Sequence, residues 1–281
     1  MPSRRISKSQ SFRILAVISA VMVSSIVCNI SRKSQPDDGD VNILTPVDSN
    51  TPVLDSTTEP TQPPNFSYEG ISYSFDESIA THVNVEIMPA VSEGDAPPWG
   101  VAPEHYKFTF VDYVLSDTFH QARVLIFPVT EFEAINPMVV NDIAALKDVL
   151  NSRTAEPSEK LPFLPFWNAA ALIQTNMEYL DFSDGSGLRY LAQYGQAAWP
   201  INNQDLFYTF QGLTSDGRYY ISAVLPISNP VLPDIGEYED FGSAFQDYIS
   251  ETKILLAAQP ASSFVPNLAL LDALFQSLRI E

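Results

Sequence analysis

Two stretches of this chain fix local structure more firmly than any others. Met177–Phe182 and Leu188–Tyr194 flank Ser183-Asp184-Gly185-Ser186-Gly187, and Leu206–Leu213 and Arg218–Pro226 flank Thr214-Ser215-Asp216-Gly217. Asp-Gly between aromatic and β-branched runs is a strong hairpin signal, because both residues tolerate positive φ. Two antiparallel hairpins close together in sequence exclude an all-helical or doubly wound parallel domain. They call instead for a sheet built of neighbouring strands.

The rest of the domain fits around them. Ile71–Phe75, Val83–Ile87 and His105–Val111 alternate with period two, and Ala122–Phe127 reads as a short buried strand stopped by Pro128. Pro89–Pro103, with four Gly and Pro residues at 94, 97, 98 and 100, reads as a long loop. Thr130-Glu131-Phe132-Glu133 has an N-cap residue followed by acids, which suits a helix start. Pro137–Leu150 carries Val140, Ile143, Leu146 and Leu150 at helical spacing. Asp240–Ala258 and Leu268–Ile280 read as two C-terminal helices, the second opened by Pro266-Asn267. The expected fold is α+β: an antiparallel β-sheet built of hairpins, flanked by helices, within a single domain over residues 66–281.

Before that domain the chain changes character twice. Arg4, Arg5, Lys8 and Arg13 lead into a weakly polar-to-apolar run, Ile14–Val27, closed by Cys28. A basic head, an apolar core and small residues near its end form an export signal over residues 1–28. The run is 14 residues long, short of the ~20 that span a bilayer core. Residues 29–65 are rich in Pro, Thr, Ser and Asp, a composition that cannot bury a core, and they read as a disordered tether. Cys28, the only cysteine in the chain, occupies the place of the lipidated cysteine in bacterial lipoproteins. In that resemblance the residue before it is small, where this chain has Val27. Cleavage after Ser25 and an uncleaved anchor are the other two routes. Each of the three leaves the domain outside the cytoplasm, at the cell membrane or secreted. A lone cysteine also excludes an internal disulfide.

Charge sorts by segment. Residues 67–281 hold 28 acids and 9 bases. Such a balance repels phosphate backbones and anionic head groups, so no nucleic-acid partner is expected for the folded part. The membrane contact expected is through the N-terminal segment alone.

Chemical signatures are sparse. The sequence has no Gly-rich phosphate loop, His-Glu-x-x-His, Cys-x-x-Cys or Gly-x-Ser-x-Gly. Asp181–Gly187 has the acidic look of a calcium loop. Its sixth and twelfth positions, however, are Ser186 and Ala192 rather than glycine and a carboxylate. The acids Asp234, Glu237, Glu239 and Asp240 fit a helix start better than a catalytic pair. No cofactor and no metal site is implied. The histidines His82, His105 and His120 share no ligand spacing. What remains is the aromatic run Phe163, Phe166 and Trp167, with Trp199 and the amides Asn168, Asn202, Asn203 and Gln204. Rings with amide donors suit a small-molecule, glycan or peptide ligand, although aromatics beside prolines more often pack over a sheet edge. Trp167, Asn168, Trp199, Asn202 and Asn203 are therefore the candidate ligand-binding residues, and no catalytic residue is assigned. The reading is a binding or scaffold module tethered to the envelope. Its alternative is an extracytoplasmic hydrolase using Asp184, Asp216 and His120, and a third reading is a purely structural envelope protein.

Three stretches, Phe66–Ser72, Ile201–Leu213 and Asp216–Pro226, resemble a family of exported bacterial proteins. That resemblance implies export and lends no site residue. The Gly-initiated first strand and the hairpins before the C-terminal helices are also similar to the PsbP-type α/β sandwich. The likeness implies a sheet between helices and binding roles in place of one shared chemistry.

Overall fold

The structure, a computed structural model, describes residues 63–155, 160–236 and 241–281. The export segment, Cys28 and the tether up to Gln62 lie outside the described residues, as do Glu237, Glu239 and Asp240. In chain order the strands β1 (Phe66–Tyr68), β2 (Ile71–Tyr73), β3 (His82–Met88), β4 (His105–Val111) and β5 (Arg123–Pro128) come first. Helices α1 (Val129–Ile135) and α2 (Val139–Ser152) follow. The strands β6 (Ala170–Phe182), β7 (Gly185–Gly195), β8 (Phe207–Thr214) and β9 (Tyr219–Pro226) then lead to α3 (Phe245–Ala257), α4 (Leu268–Gln276) and β10 (Arg279–Ile280). None of the described helices is long and apolar enough to cross a membrane.

Seven strands form one antiparallel sheet in the order β3-β4-β5-β9-β8-β7-β6. After β5 the chain leaves the sheet through α1 and α2 and re-enters at the far edge as β6. Two hairpins then carry it back until β9 closes against β5, Arg123 opposite Val224 and Pro128 opposite Tyr219. The central strands are apolar on both faces. In β9, Ile221, Ala223 and Leu225 enter one core while Tyr220 and Val224 enter the other. Helices therefore cover both faces: α1 and α2 through Phe132, Ile143 and Leu146 on one, α3 and α4 through Leu256, Leu271 and Phe275 on the other. Each such side chain stabilises the fold by about 1.5–3 kcal/mol when fully buried. The expected α+β class with two C-terminal helices holds.

Several boundaries differ from the expected ones. Pro128, not Thr130, precedes the first turn of α1, because its fixed φ of −68° suits the N-cap position. The first hairpin is longer and tighter than the Asp-Gly reading implies. Phe182 pairs with Gly185, leaving only Ser183 and Asp184 in the turn, and β6 runs back to Ala170. Asp184 and Gly185 both keep negative φ, whereas Gly217 in the second hairpin has φ +72° as expected. Helix α3 starts at Phe245, after a 3-10 turn over Gly242–Ala244. The last expected helix stops at Gln276, and Arg279–Ile280 turn into a strand beside β2.

The glycines of β7 and β8 make space. Gly187 and Gly212 face each other across the two strands, and the ring of Phe210 lies over both, so a Cβ at either would overlap it. Phe210 stacks in turn on Phe275 of α4, centroids 4.3 Å apart at 13°. Nearby, the buried Arg189 side chain donates from Nε to Asp272 Oδ1 at 3.1 Å and also pairs with Glu178 and the carbonyl of Asn176. A stack and an ion pair thus fix α4 to the sheet at two points.

Candidate functional site

Trp167 is held by a segment bolted to the sheet below it. The Leu164 backbone N–H donates to Gln211 Oε1 at 3.0 Å, and its carbonyl accepts from Ser222 Oγ at 2.5 Å. Gln211 is itself buried in β8 and donates to Thr209 Oγ1 and Ser222 Oγ at 2.8 and 3.1 Å. Tyr190 Oη donates to the Pro162 carbonyl at 2.8 Å. With its backbone groups met by the sheet, this proline-rich segment carries Phe163 into the core and leaves Trp167 half-buried at the rim.

Around Trp167 the rings form a continuous wall. Its indole contacts Phe163 edge-on at 4.8 Å, Tyr194 at 5.2 Å and Phe207 at 5.3 Å. On it lies the His120 imidazole, 4.8 Å between centroids and 20° from parallel. His120 also meets Phe119 and Phe207 edge-on, at 4.9 and 4.8 Å. Its ring nitrogens take no hydrogen bond from the described residues. Burial, and then the positive charge of Arg123, hold its pKa down at about 4, so at neutral pH it is an uncharged ring.

This wall is one side of a cleft of about 850 Å³. Trp167, Asn168 and Trp199, three of the five candidate residues, line it, together with His120, Arg123 and Asp205. Phe119 reaches over it with 75% of its surface exposed, and Trp199 with 38%. The side-chain amides of Gln121 and Asn168 have no partner among the described residues, and Asp205 uses only Oδ2, which accepts from Asn202 Nδ2 at 2.9 Å. Polar capacity in the cleft is therefore open.

The other two candidates face away from it. Asn202 is 1% exposed, and its Nδ2 donates to the Pro200 carbonyl while its Oδ1 accepts from the backbone of Gln204 and Asp205 at 3.0 and 3.1 Å. Asn203 donates to the Leu232 carbonyl at 3.2 Å and accepts from the Asn229 N–H at 2.8 Å. The Asn202 amide is taken up by the turn it sits in, and the Asn203 amide by the neighbouring loop at Asn229 and Leu232. The Gln204 carbonyl of that turn accepts from the Phe119 N–H at 2.9 Å, so the turn supports one lip of the cleft. Trp167 and Tyr194 also border a second, smaller cleft of about 640 Å³, closed on its other side by Phe245, Gln246, Ile249 and Lys253 of α3.

The alternative set Asp184, Asp216 and His120 is not assembled. Asp184 accepts from the Ile280 N–H at 3.2 Å in one hairpin turn. Asp216 is engaged by Thr214 and Arg218 in the other turn, which holds its carboxyl down at about 2. Neither lines the cleft that contains His120. Asp181 of the calcium-like stretch pairs with Arg153. His105 stacks on Phe127 at 4.3 Å, and His82 sits at the exposed start of β3. Among the described residues no cluster of His, Cys, Asp or Glu is grouped to hold a metal ion.

Sequence reasoning passed over Phe119, Arg123, Tyr194 and Asp205. Arg123 opens a strand that reads as simply buried. Its signal is the presence of a cation at the edge of an apolar strand in so acidic a domain. No family model, no curated protein and no solved structure matches this chain.

Proposed function

We propose that this chain is an exported, envelope-tethered binding module that takes a ring-shaped polar ligand, a glycan unit, in the cleft beside Trp167. The observation that carries this reading is the pairing, in one cleft, of an exposed aromatic surface with amides unpartnered among the described residues and a carboxylate that has one oxygen free. Aromatic faces cover the apolar face of a sugar ring, while Asn168, Gln121 and Asp205 meet its hydroxyls. A ligand taken here needs no proton transfer. Among the described residues no carboxylate is bonded to His120, which favours binding over the hydrolase alternative. Asn202 and Asn203 act in this reading as supports of the cleft lip.

Trp167→Ala and Trp199→Ala test the placement. Each is expected to weaken glycan binding at least about tenfold while the emission of the remaining tryptophans and the unfolding midpoint report a folded protein. A folded Trp167→Ala protein that binds like wild type removes the cleft from consideration. Intact mass tests the tether. A mass beginning at Cys28 with an added diacylglyceryl group, from the membrane fraction, supports a surface-held domain. A soluble protein beginning at Ile26 makes it a secreted free domain.

A further inference from the structure

The cleft contains a cation that no carboxylate of the described residues pairs with. Of the nine Lys and Arg residues in 67–281, Arg123 alone lines this cleft. Its guanidinium makes one long contact, from Nη1 to the Gln121 carbonyl at 3.5 Å, and no carboxylate among the described residues lies within ion-pair reach. Every other described arginine but Arg279 is paired with a carboxylate: Arg153 with Asp181, Arg189 with Asp272 and Glu178, Arg218 with Asp216. Arg279, by contrast, is exposed. A half-buried guanidinium without a counter-charge gives up part of its hydration, and among the described residues one long bond to a carbonyl returns little of it. It gains most when a ligand brings the missing charge.

The second clue is Asp205, on the same cleft, with one carboxylate oxygen unoccupied. An acceptor of this kind needs a donor, and an arginine needs an acceptor. A ligand that answers both carries hydroxyl groups and an anionic group together. The net charge of −19 over the molecule, with Asp205 in the cleft, disfavours a doubly charged phosphate. A single carboxylate matches one guanidinium in charge and in its two-pronged shape.

We infer that the cleft recognises an acidic sugar, its ring against the aromatic wall of Trp167 and Phe119, its carboxylate on Arg123 and a hydroxyl on Asp205. This rests on the glycan reading above and specifies which glycans.

The test is a calorimetric titration of the full chain with oligomers of galacturonic and glucuronic acid, and with the same oligomers methyl-esterified so that ring and hydroxyls stay but the charge is gone. The acid form is expected to bind at least about tenfold tighter than the ester, with the difference shrinking as salt is raised. Arg123→Gln should abolish the preference for acid over ester, and Arg123→Lys should retain part of it. If Arg123→Gln fails to fold, the Lys variant and the salt series carry the comparison. Ester and acid binding equally well, or a preference that survives Arg123→Gln, overturns the assignment to Arg123 and leaves the glycan cleft standing. Binding of neither form to the wild-type protein overturns both.

Discussion

The imidazole of His120 lies nearly parallel to the indole of Trp167, 4.8 Å away, which puts a titratable ring inside an aromatic stack. Protonating it there means charging a group that burial and Arg123 both hold neutral. The folded pKa is about 4 against an ordinary value of 6.5, so as pH falls the unfolded chain takes up the proton first. The stability due to the neutral ring is full above pH 6.5 and declines as pH drops toward 4. The loss is on the order of 2–3 kcal/mol. His120→Phe keeps the stack without the titration. Urea unfolding of both proteins at about pH 7.5 and about pH 4.5 should show the smaller acid loss in the variant.

Arg189 and Asp272 join β7 to α4 inside the protein, and Tyr208 Oη adds a hydrogen bond to Asp272 Oδ1 at 3.0 Å. Asp272→Ala leaves the guanidinium with only Glu178 and a carbonyl, and it should cost about 3 kcal/mol. Replacing both, Arg189→Met with Asp272→Leu, should recover most of that loss, because no buried charge is left uncompensated. Denaturant midpoints of the single and double variants settle the matter.

Gly187 gives room to the Phe210 ring instead of freedom to the backbone. A methyl group there forces the ring off Phe275, and Gly187→Ala is expected to cost about 2 kcal/mol by overpacking. Phe210→Ala should cost about 4 kcal/mol alone. Because the two changes act on one contact, the double variant should lose clearly less than the sum, a shortfall that a double-mutant cycle reads directly.

Gln211 is the fastening of the segment that carries Trp167. Gln211→Leu removes its bonds to the Leu164 N–H, the Tyr220 hydroxyl, Thr209 and Ser222 and should destabilise by about 2 kcal/mol, chiefly by leaving the Leu164 and Tyr220 donors unmet. Its distinctive mark is a shift in tryptophan emission, reported by Trp167, together with weakened ligand binding. A change in stability alone would mean that the segment is held by packing.

What the chain reveals by itself follows from how local each determinant is. The alternation in His105–Val111, and the apolar run of Tyr219–Pro226 beside its Asp-Gly turn, need no partner to be visible, and those strands lie where these signals put them. The pairing of β5 with β9 and of β10 with β2 joins residues far apart, which no local pattern encodes. Glycine is ambiguous in a sequence. Gly217 serves a turn, whereas Gly187 serves a neighbouring ring, and both follow an aspartate within three residues. The cleft was half legible. Trp167, Asn168 and Trp199 do converge, while Asn202 turns inward because an asparagine in a tight turn satisfies its own backbone first, and Asn203 because it ties that turn to the loop at Asn229 and Leu232. Arg123 went unnoticed because its importance lies in a missing partner, and only three-dimensional neighbours can show that.

The strand β10 has a consequence in time. Ile280 pairs with Ile71, and the Glu281 N–H donates to the Gly70 carbonyl at 3.0 Å. A polypeptide made with its amino end leading delivers β1 and β2 some two hundred residues before the strand that completes them. Until residues 279–281 emerge, the small sheet has only two strands, a size that is marginal in water. Closing so long a loop is slow. The small sheet is therefore the last to close, and a chain arrested a few residues short would leave β1 and β2 more open to proteases than the finished protein does.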